Sequence, residues 1–473
     1  MKPTHHSFQD FYHSALCNAS SVSTPKSVQE WWKERHEALK MEVRPIPFHK
    51  LNQWYFEDKT GNLIHISGKF FSIEGIRVQT DFGFKREWDQ PIISQPEIGF
   101  LGILTKKIDG ILHFLMQAKA EPGNIDGIQL SPTIQATKSN YKRVHQGSFT
   151  PYLDYFQHAS RYQILLDQLQ SEQGARFLKK RNRNIIIEVN ESEEIPVYAD
   201  FCWMTLGQIL DFTRLDNRVN MDTRTILSGI PIGEITHGDG MTFPQAKYGQ
   251  LTLLRSSLSN EFAVNSADDV ISWITHIKTH CELEVEKIPL KQVKGWKRDA
   301  NEIYHQDRKY FSIISVQVAI YNREVSLWDQ PLFKPAQEGI IAFLIKKIGG
   351  VYHFLVQAKL EAGNFDIIEL APTVQCLTGN YRKGVNEYEV PFLDLVLNAD
   401  RAMIWYDTMQ SEEGGRFYKE QNRNMVIELH EEIRLEIPNH YIWMTLPQLK
   451  TFLKYNNYLN IAARNLISVI QFS

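Results

Sequence analysis

The sequence predicts an α/β (α+β) protein built as a tandem duplication of one mixed-sheet domain. Three observations carry this reading. The stretch Gln117-Ala118-Lys119-Ala120-Glu121-Pro122-Gly123-Asn124 returns 240 residues later as Gln357-Ala358-Lys359-Leu360-Glu361-Ala362-Gly363-Asn364. From His113 to Gln135, set against His353 to Gln375 without a gap, 15 of 23 positions are identical, and most identities are polar or Gly/Pro. A repeated core face would keep hydrophobicity rather than identity. Short β-branched alternating runs also interleave with amphipathic segments, and 473 residues are too many for one ordinary core.

The elements follow in order. Residues 1 to about 26 read as a loose polar arm ending in Ser23-Thr24-Pro25-Lys26. Val28, Trp31, Trp32, Arg35 and Leu39 have helical spacing, and Pro45 and Pro47 are expected to stop that helix. The second unit opens likewise with Val270, Trp273, Ile274 and Ile277. A β-rich run follows, in which Trp54, His65 and Phe71-Ser72-Ile73 match Trp296, His305 and Phe311-Ser312-Ile313. Gly99–Thr105 and Ile111–Ala118 flank the turn Lys107-Ile108-Asp109-Gly110 and predict a hairpin that puts Gln117 and Lys119 at a strand end. Ile128–Ala136 reads as a strand broken at Pro132. Leu153, Phe156, Tyr162, Leu165, Leu166 and Leu169 predict an amphipathic helix, and Ile185-Ile186-Ile187 a strand. Trp203-Met204-Thr205-Leu206 and Trp443-Met444-Thr445-Leu446 each open a last helix, with Thr205/Gln208 and Thr445/Gln448 spaced as capping boxes. The division expected is a first repeat over 27–229 as the catalytic domain, a connector over 230–260 that lies across its site, and a second repeat over 261–473 with a binding or structural role.

A net charge of −3 exerts no general pull toward nucleic acid or anionic lipid. The four cysteines, Cys17, Cys202, Cys281 and Cys376, are widely spaced and read as reduced thiols. No signal layout opens the chain and no apolar run approaches about 18 residues, so a cytoplasmic protein without a membrane partner is expected.

The densest polar block runs from Gln117 to His145. Such clustering on strand ends and loops suits a polyhydroxylated ligand that needs several donors and acceptors, although a polar loop with a satisfied turn network has the same composition. Gln117, Lys119, Glu121, Asn124, Thr133, Gln135, Asn140 and Tyr141 recur as Gln357, Lys359, Glu361, Asn364, Thr373, Gln375, Asn380 and Tyr381. The copies differ where Gln129, Ser131, Ser139 and His145 become Glu369, Ala371, Gly379 and Val385, so the polar excess places reaction in the first copy. Trp88 and Trp328, in the repeated Trp-Asp-Gln-Pro, offer an aromatic face for a nucleobase or simply fill core. Arg176 and Arg183, matched by Arg416 and Arg423, suit a diphosphate or a salt bridge to Glu172 or Glu412. His113 and His353, set in apolar strands, read as packed residues. No Rossmann or P-loop glycine pattern, His-Glu-x-x-His motif or Gly-x-Ser-x-Gly elbow is present, so no metal or redox cofactor is expected.

The successive motifs QAKAEPGN, QLSPTIQATKSNY, VHQG and PYLDYF resemble the nucleoside-diphosphate-hexose 2,3-dehydratases of deoxysugar biosynthesis, and the resemblance covers nearly the whole chain. It implies an enzyme acting on dTDP-4-keto-6-deoxyglucose, two tandem Nudix-like domains, a homodimer, and hand-off of the product to a separate 3-ketoreductase. The Nudix catalytic box is not recognisable, so metal-dependent diphosphate hydrolysis does not follow from that fold. The chemistry needs a base for the proton at carbon 3, an acid for the hydroxyl at carbon 2 and donors to the carbonyl at carbon 4. Candidates are Glu121 or His145 as proton acceptor and Tyr141 or Lys119 as donor to the carbonyl or the leaving hydroxyl, with Lys119 equally suited to a structural ion pair with Glu121. Gln117, Asn124, Thr133, Gln135, Ser139, Asn140 and Trp88 would position the ligand; Gln357, Lys359, Glu361, Asn364, Thr373, Gln375, Asn380, Tyr381 and Trp328 would form a second binding site. A nucleotide-sugar binding protein without catalysis, or a Nudix-type hydrolase of the nucleotide sugar, are the competing readings.

Overall fold

The computed structural model describes residues 6–137, 150–231, 262–320, 327–377 and 389–470. Two seven-stranded mixed sheets repeat one plan. In the first repeat the order is Gln163–Ser171, Arg181–Val189, Gly99–Ile108, Ile111–Ala120, Phe201–Thr205, with Ile128–Ser131 and Ile134–Ala136 pairing beside Ile111–Ala120 and Gly99–Ile108. The second repeat has the same order in Ile404–Ser411, Gln421–Leu429, Gly339–Ile348, Val351–Lys359 and Tyr441–Thr445. The expected hairpin is present, with Leu104 opposite Leu115 and Ile108 opposite Ile111. Pro132 lacks the N–H a ladder needs, and the chain there splits into two short strands on different partners.

The remaining strands form two smaller sheets that exchange one strand each between the repeats. Met41–Ile46 joins the second repeat's sheet, with Val43 opposite Val318, while Leu283–Ile288 joins the first repeat's sheet, with Val285 opposite Val78. Pro45 therefore sits in an exchanged edge strand, where its missing N–H is tolerated. The preceding helix, Pro25–Ala38, stops well before that proline.

One face of the first seven-stranded sheet buries Phe114, Met116 and Ile186 under helical residues that include Phe11, Val28, Trp32, Leu206 and Ile226. Each fully buried aliphatic or aromatic side chain contributes about 1.5–3 kcal/mol. Both capping boxes form: the Gln208 N–H donates to Thr205 Oγ1 at 3.2 Å and the Gln448 N–H to Thr445 Oγ1 at 3.3 Å. Such caps are worth about 1 kcal/mol each.

Three sequence expectations are corrected. The arm contains a helix, His6–Leu16, whose Phe11 packs 6.1 Å from Phe114 between ring centroids and whose Ser14 hydroxyl donates to Leu112 O. Its apolar stripe is too narrow to stand out in a polar segment. The helix expected through Leu169 ends at Gln157, and Leu165, Leu166 and Leu169 lie in the strand Gln163–Ser171. A register shift between Ile164 and Leu166 buries both Leu165 and Leu166, which breaks the alternation of period 2 and mimics a helical face. Trp203-Met204 and Trp443-Met444, expected to open helices, lie in the strands Phe201–Thr205 and Tyr441–Thr445, and the helices start at Leu206 and Leu446. The expected connector falls outside the described residues from 232 onward. Among the described residues no helix is long and apolar enough to cross a membrane.

Candidate active site

The end of the strand Ile111–Ala120 buries Ala118 and Ala120 and turns Gln117 and Lys119 to the other face, half-buried. Lys119 Nζ lies 2.9 Å from Glu121 Oε1 and donates to Gln135 Oε1 at 2.8 Å. Gln135 Nε2 donates to Glu121 Oε1 at 3.3 Å, and Asn220 Nδ2 donates to Gln135 Oε1 at 3.2 Å. The result is a closed polar ring that fixes one carboxylate and one ammonium side by side. In the second copy Gln375 Nε2 donates to Glu361 Oε1 at 3.0 Å and Asn460 Nδ2 to Gln375 Oε1 at 2.7 Å. There Lys359 Nζ reaches the backbone oxygen of Gln375 at 3.3 Å.

Other candidates are engaged in the scaffold. Thr133 is buried; its hydroxyl accepts the Leu104 N–H at 2.8 Å and donates to Leu115 O, and Thr373 does the same between Leu344 and Leu355. Asn124 is buried and donates to the carbonyls of Lys119 and Gly127, which holds the turn. Asn364 is equally buried, but neither its Oδ1 nor its Nδ2 has a hydrogen-bond partner among the described residues, while Gln357 Nε2 donates to Pro372 O at 2.7 Å. These contacts fix strand geometry with no ligand needed. Ser139, Asn140, Tyr141, His145, Asn380 and Tyr381 lie outside the described residues. His113 is packed as expected, its ring nitrogens 2.8 Å from Ile111 O and Ser20 Oγ, and burial pulls its pKa down.

The two sites are composite and crossed. Around Lys119, Glu121 and Gln135 lies a cavity of about 110 Å³ completed by Lys180 and Asp222 and, from the second repeat, Glu413 and Arg416. Around Lys359, Glu361 and Gln375 lies a larger cavity of about 530 Å³, completed by His440 and Tyr441 and, from the first repeat, Trp88, Gln173 and Arg176. Trp88, expected beside the first-copy ligand, therefore faces the second cavity, because the strand Glu87–Ser94 is tied to its own repeat's turn, with Gln90 donating to Ala175 O at 3.0 Å and Ile93 N to Arg176 O at 2.8 Å, and that turn lies against the second repeat, where Gly363 N donates to Gly174 O at 2.7 Å. Trp328 packs conversely against first-repeat core. Arg176 is 3.8 Å from Glu420, not paired with Glu172 or Glu412, and Arg183 forms a partly exposed pair with Asp167 at 2.6 Å.

Burial and mutual repulsion hold several carboxyls toward the neutral form. Glu172 is pushed up to about 7 by burial and then by Glu413. Asp222 is raised well above the usual range by burial, then by Glu413, Glu172 and Glu121; Glu413 is raised by burial. In the second copy burial, then Glu420, raises Glu412 to about 7, with Gln173 and Asn422 hydrogen-bonded to it. Burial lowers Lys180. Among the described residues no group of three or more His, Cys, Asp or Glu is placed to hold a metal ion.

Sequence reasoning missed Asp222, Glu413 and Lys180. Their signal lies outside the window of high identity, at aligned positions whose chemistry changes between copies: Asp222 against Ala462, Gln173 against Glu413, Lys180 against Glu420.

A family model described as NDP-hexose 2,3-dehydratase matches residues 25–230 and 267–470. A relative from Saccharopolyspora spinosa, named dTDP-4-dehydro-6-deoxy-alpha-D-glucopyranose 2,3-dehydratase, is 46% identical over 458 residues, covering 97% of this chain and 93% of its own. Relatives of the same name from Amycolatopsis orientalis and Streptomyces violaceoruber are each 42% identical, covering 98% and 93% of this chain and 94% and 96% of their own.

Proposed function

The chain belongs to the NDP-hexose 2,3-dehydratase family, and on that premise we propose that its reaction runs in the first-copy cavity around Lys119 and Glu121. It is a nucleotide-sugar 2,3-dehydratase, a carbon–oxygen lyase of deoxysugar biosynthesis, and its substrate is dTDP-4-keto-6-deoxyglucose. The observation that carries the placement is the ring in which Lys119 and Gln135 both point at Glu121 Oε1, set against a second copy whose lysine turns to a backbone oxygen.

The carbonyl at carbon 4 acidifies the proton at carbon 3. Glu121, held as an acceptor by its ring partners, takes that proton, and Lys119 donates to the oxygen on which the enolate charge develops. Base catalysis of this kind contributes about 10²–10⁴-fold, and one enolate donor about 10²–10³-fold. Loss of the hydroxyl at carbon 2 leaves an enol that tautomerises to the 3,4-diketo-2,6-dideoxy sugar nucleotide. No redox change occurs within this step.

The same reading divides the chain into a catalytic repeat over 27–229, a connector over 230–260 and a second repeat over 261–473. In the second repeat the larger cavity, with Trp88 and Arg176 on its wall, suits binding of a nucleotide sugar. It further takes each repeat as Nudix-like, the protein as a cytoplasmic homodimer, and the product as passing to a 3-ketoreductase. The test is incubation of the purified protein with dTDP-4-keto-6-deoxyglucose, a 3-ketoreductase and NADPH. A 2-deoxy product is expected; binding without that product, or release of dTMP on addition of Mg²⁺, would overturn the reading.

A further inference from the structure

The first-copy site holds a base and an enolate donor among its described residues, yet the departing hydroxyl also needs a proton. Asp222 stands at the start of the helix Met221–Ser228. A carboxylate there usually faces solvent and is stabilised by the helix dipole by about 0.3–1 kcal/mol. Asp222 is instead 3% exposed and lines the same cavity as Lys119 and Glu121, and its Oδ1 has no hydrogen-bond partner among the described residues. The charged groups that act on it most strongly are Glu413 from the second repeat's turn, Glu172 from the strand edge, Glu121 and Lys119, and the cations Lys180 and Arg416 stand on the same cavity wall. Burial first, and then the three nearby carboxyls, favour the neutral acid, which is a hydrogen-bond donor.

The fold does not require this carboxyl. The matching helix Ile461–Ile470 starts with Ala462 at that position, and its Asn460 accepts the Ala463 N–H at 2.9 Å as Asn220 accepts the Thr223 N–H at 2.8 Å. The second copy also replaces Glu413 by Gln173, whose amide bonds Glu412. The Asp222–Glu413 pair is thus confined to the first-copy site, whose Lys180 is replaced by Glu420 in the second.

The geometry points to Asp222 as the acid that protonates the departing 2-hydroxyl, with Glu413 of the second repeat as the residue that positions its proton; this rests on the first-copy cavity being the site of reaction. The step balances without an oxidant. Glu121 accepts the proton from carbon 3, and the electron pair released forms the carbon 2–carbon 3 double bond by way of the enolate. The carbon 2–oxygen bond breaks, and the hydroxyl leaves with its bonding pair and the Asp222 proton as water. Glu121 then loses a proton and Asp222 regains one, which restores both.

The experiment compares the full-length wild type with Asp222→Asn and Asp222→Ala in D₂O, with dTDP-4-keto-6-deoxyglucose as substrate. Deuterium entering carbon 3 reports enolate formation, and trapped 2-deoxy product reports elimination. Both variants should lose elimination by at least about 100-fold while exchange at carbon 3 stays within about tenfold of the enolate-forming rate of the wild type. The alanine variant, which copies the second repeat, checks that folding is kept. Glu413→Gln should move the alkaline limb of kcat to lower pH, because a like charge that favours protonated Asp222 is removed. Exchange and elimination falling together, or elimination at the wild-type rate, overturns the role of Asp222. Loss of elimination in Glu361→Gln but not in Glu121→Gln or Asp222→Asn shows instead that the placement in the first copy has failed.

Discussion

Gly123 donates its backbone N–H to the carbonyl oxygen of Gly414 at 2.7 Å, and Gly363 donates in the same way to Gly174 at 2.7 Å. The clasp is closed from the other side, where Lys419 N donates to Gly123 O at 2.8 Å and Lys179 N to Gly363 O at 2.6 Å. Each copy of the most strongly repeated stretch therefore grips the turn of the opposite repeat. A Cβ at Gly123 would overlap the carbonyl oxygen of Phe417, and one at Gly363 that of Phe177. Gly123→Ala and Gly363→Ala should each cost more than about 3 kcal/mol, the range of severe backbone clashes. Thermal unfolding of the purified variants checks this, and an unchanged midpoint in either would show that the clasp gives way freely.

The exchange of Met41–Ile46 for Leu283–Ile288 makes each repeat's second sheet incomplete without the other. A half expressed alone would expose the long edge of Phe311–Ile320 or Ser72–Thr80, with unpaired backbone groups and apolar side chains. Breaking the chain between residues 231 and 262 should therefore yield halves that aggregate separately and form a stable complex when produced together. Size exclusion of the separate and co-produced halves decides the matter. A soluble, monomeric half with cooperative unfolding would contradict it.

The duplication, the hairpin, the caps and the Lys119–Glu121–Gln135 neighbourhood were legible because each is local or recurs with its spacing intact. The meaning of the repeated identity was only partly legible. Gly123 and Asn124 recur because they make the clasp and its turn, while Lys119 and Gln135 recur as members of the polar ring. A sequence compared with itself cannot separate these two causes. The strand exchange left no trace, since Val43 pairs with Val318 through the same alternation it would use within its own repeat. Asp222 and Glu413 were hidden by their distance along the chain and by a helix start that makes an acidic residue look ordinary.

Glu369 replaces Gln129 of the first copy at a fully buried position, where Ser171 donates to its Oε2 at 2.9 Å. Burial is the largest cause of its shift to about 7 from the ordinary 4.5, with Arg464 acting in opposition. The unfolded chain releases this proton near 4.5 and the folded protein near 7, so between these values the folded state binds more protons. Stability is then fully present below the lower value and falls as pH rises through the upper one, by up to about 3 kcal/mol for this group in the linkage limit. Glu172 and Glu412, also raised to about 7, act in the same direction. Glu369→Gln should flatten part of the decline in unfolding temperature from about pH 5 to about pH 8. Parallel curves for the variant and the wild type would rule out this contribution.

The two polar rings provide a matched comparison for catalysis, because Glu121 and Glu361 accept equivalent glutamine donors at 3.3 Å and 3.0 Å while only Glu121 lies beside its lysine ammonium, at 2.9 Å. Glutamine keeps the volume and one acceptor but cannot take a proton at neutral pH. Glu121→Gln should lower kcat by about 10²–10⁴-fold with little change in binding of the nucleotide sugar. Lys119→Met should lower kcat by about 10²–10³-fold through loss of the enolate donor. On the proposed division of roles, Glu361→Gln and Lys359→Met should leave kcat within a few-fold and act on KM or on unfolding temperature. Steady-state kinetics with the coupled reductase, together with calorimetric binding of dTDP, separates the two kinds of effect. Equal losses of kcat from both pairs would mean that both cavities turn over substrate, and the difference at Asp222 and Ala462 would then need another explanation.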